Sequence, residues 1–355
     1  MTYEHPTVCT HGVCGIIGNT PLLELCTTGI GSRLLLKMEN FNPTGSVKVR
    51  MAAEMVAGAE RTGLLPPGGR IVEPTSGNTG LGLAIVAAQH GYRFTAIVDH
   101  HAAKDKLAAM SALGAELIFV GERNSGIPST NLRREKAKEI IAADSSAWWP
   151  DQHNNPDNPA GYGNLAAELM HQVPEGIDVL VAAVGTGGTL CGTTKYLRQS
   201  GNFVETIGVE PEGSIIFGGP AGNYKQSGAG APANFPVGRN VAHELIDHAI
   251  KVNDIKAFAT ARVLARHFGL LVGGTAGAAI YEGLRHLQDY PAQTTMVVVI
   301  CDAGEKYLDT IFNDSWLQEN HLHSETMEHQ VYRFLSAYRD SHAIAKKRRA
   351  GRCVA

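Results

Sequence analysis

The sequence has almost no charge imbalance: 31 Lys and Arg stand against 34 Asp and Glu, a formal net charge of -3. So neutral a balance argues against nucleic acid or an anionic membrane as the main partner. There is no long apolar run either. None approaches the roughly 18 residues that a membrane-spanning helix needs. The N-terminus, MTYEHPTVCTHG, lacks the basic and apolar regions of a secretory signal. Cysteine is scarce. Six are scattered at 9, 14, 26, 191, 301 and 353, which reads as reduced, mostly buried thiols in a cytoplasmic protein, not as a disulfide framework. Low-complexity blocks and internal repeats are missing as well. Glycine is what abounds. The chain has 40, concentrated where strands turn into helices. Its 355 residues suffice for two packed lobes with a substantial core.

Short apolar runs alternate with helical patterns. Strands are expected at Leu34–Met38, Arg70–Glu73, Phe94–Val98, Leu117–Val120, Val179–Val184, Thr206–Val209 and Met296–Cys301. Helices are expected at 48–63, 78–90, 102–113, 130–143, 160–171, 188–198, 254–268, 275–288 and 304–312. Continuous apolar strands that each feed a helix imply an α/β fold with parallel sheets covered on both faces. Ligands in such folds sit at the carboxyl ends of the strands. Trp149–Pro159, rich in Pro, Asn and Asp, reads as a lobe crossing, and Gly218–Arg239 as a functional or mobile loop. After Glu319 the alternation fades. That stretch reads as a solvated tail ending in Lys346–Arg349, with Val331–Tyr338 as a helix docked on a lobe or a partner as the other reading.

Three segments carry chemistry. Asn42–Arg50 places Lys48 just past a Pro-Gly turn, at the start of a helix. Alone, that is a solvated first-turn lysine. Glu73–Gly80 (EPTSGNTG) opens a second helix with hydroxyls, an amide and bare N–H groups, a set suited to a carboxylate. An ordinary N-cap would need only Ser76 or Asn78. Gly185–Thr189 (GTGGT) lies between an apolar strand and a helix. It fits neither the dinucleotide fingerprint, since position 190 is Leu, nor a P-loop. Its glycine N–H groups and threonine hydroxyls suit a monophosphate; a plain packing turn is the equal alternative. An amine, a carboxylate cradle and a phosphate cradle together are what a pyridoxal-phosphate site requires.

In order and spacing, from Gly18–Leu22 (GNTPL) to Gly304–Leu308 (GEKYL), these motifs resemble the cysteine synthase/cystathionine β-synthase family of pyridoxal-phosphate enzymes. The resemblance implies fold type II, the two-lobed tryptophan-synthase-β-like architecture, with pyridoxal 5'-phosphate in the cleft between lobes. Residues 1–47 and 152–318 would form the large cofactor-binding domain, 48–151 the small substrate-closing domain, and 319–355 a C-terminal tail. It implies that Lys48 bonds to the cofactor and shuttles the substrate's Cα proton. Asn78 would bond the cofactor's 3′-oxygen, and Gly185, Thr186, Gly187, Gly188 and Thr189 its phosphate. Thr75, Ser76, Gly77, Thr79 and Gln152 would hold the substrate carboxylate, and Gly228 would belong to a closing loop. The implied reaction is β-replacement on an activated L-serine by a homodimer that needs no metal.

One position departs from the family. Where its members place a serine against the pyridine nitrogen, this chain has Ala303 in Cys301-Asp302-Ala303-Gly304. Cys301, Asp302 or a water would take that place, or none would. Local matches at Gly213–Gly218, Gly273–Gly277, Ala147–Trp149 and Tyr307–Asp309 with Asp314–Leu317 resemble the branch that joins O-phospho-L-serine to L-glutamate on the way to 2,3-diaminopropionate and siderophores. By position in that branch, Arg133 would bind an anionic substrate. The Gly185-Thr186-Gly187 loop departs from that relative. Cysteine synthesis from O-acetylserine and sulfide, and cystathionine synthesis, are the alternatives. A regulatory homologue with weak catalysis is a reading of another class, against which the intact Lys48 counts. Cys9-Thr10-His11 with Cys14 fits no standard zinc spacing, and His100-His101 reads as a solvated turn.

Overall fold

A computed structural model describes residues 10–100, 102–122 and 130–337. Cys9, His101, Tyr338 and Lys346–Arg349 lie outside the described residues. The strands are β1 (Leu22–Thr27), β2 (Arg33–Lys37), β3 (Arg70–Pro74), β4 (Arg93–Asp99), β5 (Glu116–Val120), β6 (Ala147–Trp148), β7 (Val179–Ala183), β8 (Glu205–Pro211), β9 (His248–Val252) and β10 (Thr295–Val299). The helices are α1 (Lys48–Arg61), α2 (Asn78–His90), α3 (Lys104–Ala112), α4 (Thr130–Ala143), α5 (Asp157–Ala160), α6 (Gly163–Gln172), α7 (Thr193–Gln199), α8 (Asp254–Phe268), α9 (Gly274–His286) and α10 (Asp314–Glu319).

They form two sheets. One has the order β1-β2-β10-β7-β8-β9, the other β5-β4-β3-β6. All pairings are parallel except β1 with β2. The cause is in the side chains. β7 and β10 carry almost nothing but buried Val, Leu, Ala and Met, so both of their faces need helices over them. β1, β6 and β9 are additional to the strands expected from the apolar runs. β1 and β9 mix polar with apolar residues and lie at the two edges of their sheet, and β6 has only two residues.

Boundaries elsewhere moved by up to three residues, with two changes of type: Gly188–Gly192 is a π turn ahead of its helix, and Gly304–Tyr307 is a 3-10 turn instead of the start of a longer helix. Helix 325–337 takes the place of the solvated tail as far as it is described, in keeping with the other reading of a helix docked on a lobe from Val331 onward. Its Val331 and Leu335 are buried in the core of the six-stranded lobe. Its Glu328 accepts from Arg262 and Arg266, both at 2.6 Å. Among the described residues no helix is long and apolar enough to cross a membrane.

Candidate active site

The carboxyl ends of β3, β7 and β10 face one cleft of about 340 Å³. Lys48 lines it at the first position of α1. The turn before it reverses through Thr44 (φ 67°) and Gly45 (φ 61°). Backbone pairs then clip that turn to the end of β10: Val47 N–H donates to Cys301 O (2.9 Å) and Ala303 N–H to Gly45 O (3.0 Å). Two residues on, Arg50 is buried in an ionic network. It donates to both oxygens of Glu39 (2.7 and 2.8 Å) and both of Glu168 (2.8 and 3.0 Å). Lys37 donates to the same Glu168 (2.6 Å) and to Thr20 O (2.8 Å). Breaking one member of such a buried network strands the others, so the start of α1 is held rigidly. The Lys48 amine itself has no hydrogen-bond partner among the described residues.

Gly185–Thr189 leaves β7 and enters a single π turn, Gly188–Gly192, that runs on into α7. Among the described residues the N–H groups of 186–189 have no protein acceptor, although Val184 N–H on one side and Cys191 N–H on the other are paired. The turn admits only glycine. Gly187 has φ 88°, and a Cβ there would stand 2.4 Å from Asn240 O; one on Gly188 would stand 2.0 Å from Asn158 Oδ1. Four free donors around a bare backbone fit the phosphate of pyridoxal phosphate. Asn158 ties this loop to the substrate side. Its amide donates to Thr186 Oγ1 (3.2 Å) and to Gln152 O (2.5 Å).

The Thr75–Thr79 turn is not the plain cap. Neither Ser76 nor Asn78 caps α2 with its side chain. Thr79 Oγ1 donates to Gln152 Oε1 (2.7 Å), and Gln152 Nε2 donates to Glu73 Oε1 (3.1 Å). Glu73 is buried and its Oε2 has no partner. Burial, seconded by the neighbouring Asp151, pushes its carboxyl up to about 8. The sequence signal for it is an acid directly after the apolar pair Ile71-Val72 at a strand end.

Asn78 faces Asp302, donating to Oδ2 at 2.8 Å, and accepts from Lys306 Nζ at 2.6 Å. Tyr307 OH also donates to Asp302 (2.5 Å), and Asp302 Oδ1 has no partner. Burial and Asp302 together hold the Tyr307 phenol well above its usual range. Around the position where the family places a serine, Cys301 and Asp302 line the cleft, while Ala303 packs toward Gly45. Strand alternation would have assigned those sides only with the register known. Thr75, Ser76, Gly77, Gln152, Gly185, Thr186 and Gly228 all line the cleft, whereas Gly187–Thr189 continue the loop from Thr186 without lining it.

Arg133, Arg134 and Lys106 complete the wall from α4 and α3. Arg133 sits 3.5 Å from Asp99, and burial lowers its pKa. Arg134 stacks over Trp149, 5.2 Å from the ring centre. It has no carboxylate partner among the described residues.

Comparison with known proteins agrees with this geometry. Residues 13–302 match the family model described as pyridoxal-phosphate dependent enzyme. The "Putative cysteine synthase" of Sinorhizobium fredii is 46% identical over 311 residues, 87% of this chain and 93% of that protein. Cystathionine beta-synthase of Apis mellifera is 37% identical over 85% of this chain, which spans 61% of that longer protein. The O-acetylserine dependent cystathionine beta-synthase structure from Helicobacter pylori superposes with TM-score 0.77 at 32% identity, covering 86% of this chain and 99% of that one.

Proposed function

The chain belongs to the pyridoxal-phosphate dependent enzymes, within the cysteine synthase/cystathionine β-synthase relatives, and on that premise we propose which β-replacement it performs. The donor is O-phospho- or O-acetyl-L-serine and the nucleophile is the amine of L-glutamate, giving N-(2-amino-2-carboxyethyl)-L-glutamate for a 2,3-diaminopropionate or siderophore pathway. The observation that carries this reading is the group of basic residues in the wall of the Lys48 cleft. Lys106, Arg133 and Arg134 all reach the cleft, more positive charge than sulfide or a single α-carboxylate needs. The reading includes a cytoplasmic homodimer; free thiols at Cys14, Cys26, Cys191 and Cys301 support the compartment.

When bound, pyridoxal phosphate supplies an electron sink for the substrate Cα. The rest is work for the chain. Gly185–Thr189 hold the phosphate, and Asn78 faces the cofactor's 3′-oxygen. Thr75, Ser76, Gly77, Thr79 and Gln152 bind the α-carboxylate, with Gln152 oriented by Glu73 on one side and Thr79 on the other. The Lys48 amine holds the cofactor, removes the Cα proton and returns it after the nucleophile has added at Cβ. Gly228 and its neighbours cover the cleft against water.

The test supplies each donor with L-glutamate, sulfide or homocysteine and identifies products by mass. The proposal expects the glutamate adduct as the main product. Cysteine from O-acetylserine and sulfide, with no glutamate adduct, would refute it. That outcome is the second reading, and the 46% identity to the Sinorhizobium fredii protein is the observation that favours it.

A further inference from the structure

Behind the Lys48 cleft lies a second cavity, of about 510 Å³. Lys106 and Ser227 line both, so the two share a wall. Four lysines surround the second cavity: Lys104, Lys106, Lys225 and Lys306. Among the described residues none of their amines has a carboxylate within 4.0 Å. This is unlike the other lysines with buried amines or partners: Lys37 pairs with Glu168 and Lys251 with Glu210. Acids are present, but Asp105, Glu305 and Asp309 are exposed at the rim.

Two of the amines are costly where they stand. Lys106 is buried (5% exposed), and its closest polar contact is Tyr307 OH at 3.5 Å. Lys306 is mostly enclosed. Burial lowers its pKa to about 8, against the pull of Asp302, and the nearby Lys106 adds to the lowering. Basic groups brought together without a paired carboxylate in a partly enclosed space gain most from a multivalent anion, which accepts from several donors at once.

We propose that this cavity is a binding site for a small tetrahedral oxyanion, phosphate or sulfate, held by Lys106 and Lys306 from within and by Lys104 and Lys225 at the mouth. Ser227 Oγ supplies a neutral donor. The site is separate from the phosphate cradle at Gly185–Thr189, which lies on the six-stranded lobe at the end of β7. It has a line to the active site, because the Lys306 amine that would meet the anion is the one that donates to Asn78 Oδ1.

Trp316 lines the cavity and serves as a reporter. The experiment uses the protein loaded with pyridoxal phosphate, so that the cradle is filled. Inorganic phosphate and, separately, sulfate are titrated at constant ionic strength while tryptophan emission is followed. Both should give a saturable change that potassium chloride does not. Lys104→Gln with Lys225→Gln replaces two exposed residues outside the catalytic cleft and should keep basal turnover. It should raise both dissociation constants by about tenfold, as removing two charges near one anion does. Trp316→Phe should remove the signal but keep the binding heat in calorimetry. No saturable change, an equal response to chloride, or an unaltered dissociation constant in the double variant would overturn the proposal. These readouts are independent of which nucleophile the enzyme uses.

Discussion

Lys306 Nζ donates to Asn78 Oδ1 at 2.6 Å, and this bond turns the other end of the amide, Nδ2, toward Asp302. Asn78 is therefore held at both ends before anything binds. Lys306→Met should free the amide and loosen its grip on the cofactor. A several-fold rise in the cofactor's dissociation constant, on the order of one lost charge-assisted hydrogen bond, is expected in equilibrium dialysis. Unchanged affinity would show that the Asn78 orientation does not depend on Lys306.

Gly188→Ala should remove cofactor binding through sterics alone. The added Cβ would lie 2.0 Å from Asn158 Oδ1, so the loop or Asn158 must move. Thr186→Ala with Thr189→Ala is the milder counterpart, expected to lower occupancy after dialysis while leaving turnover at saturating cofactor largely intact. Normal occupancy in both would contradict the phosphate assignment.

Glu73 makes a prediction about pH. Folding raises its carboxyl from an ordinary 4.5 to about 8, with burial as the main cause. Between those values the folded state holds more protons than the unfolded state. The contribution of this group to stability is thus fully present below the unfolded value and is lost as pH rises toward 8, by at most about 1.4 kcal/mol per pH unit. Glu73→Gln keeps the shape without the titration. Its melting temperature should fall less than that of the parent between pH 5 and 8. Parallel curves would mean that Glu73 is ionised in the folded protein.

Arg133→Ala should raise the KM for the dicarboxylate nucleophile by about tenfold and change the rate of leaving-group loss from the serine derivative little, which is the pattern of lost uniform binding. An equal fall in both steps would place Arg133 at the donor instead.

Much of this was readable in the linear chain because it is local. The GTGGT and EPTSGNTG turns and the start of α1 at Lys48 each need only their own neighbours to take shape. The apolar runs of β7 and β10 announce buried parallel strands. β9 (His248–Val252) was hidden because an edge strand tolerates His and Lys on its open side. The docking of 325–337 depended on where Arg262 and Arg266 would lie. The states of Glu73 and Lys306 and the side taken by Ala303 are tertiary facts: they follow from which groups fold around them, across as many as 228 residues for Lys306 and Asn78.

The central claim is that Lys48 is the residue that holds the cofactor. Borohydride reduction of the pyridoxal-phosphate-loaded protein, followed by digestion and peptide mass analysis, tests it most directly. The reduced cofactor should appear on the peptide containing Lys48, and Lys48→Ala should carry none and turn over no substrate while melting like the parent. A label on Lys106 or Lys306, or β-replacement that persists in Lys48→Ala, would contradict the account.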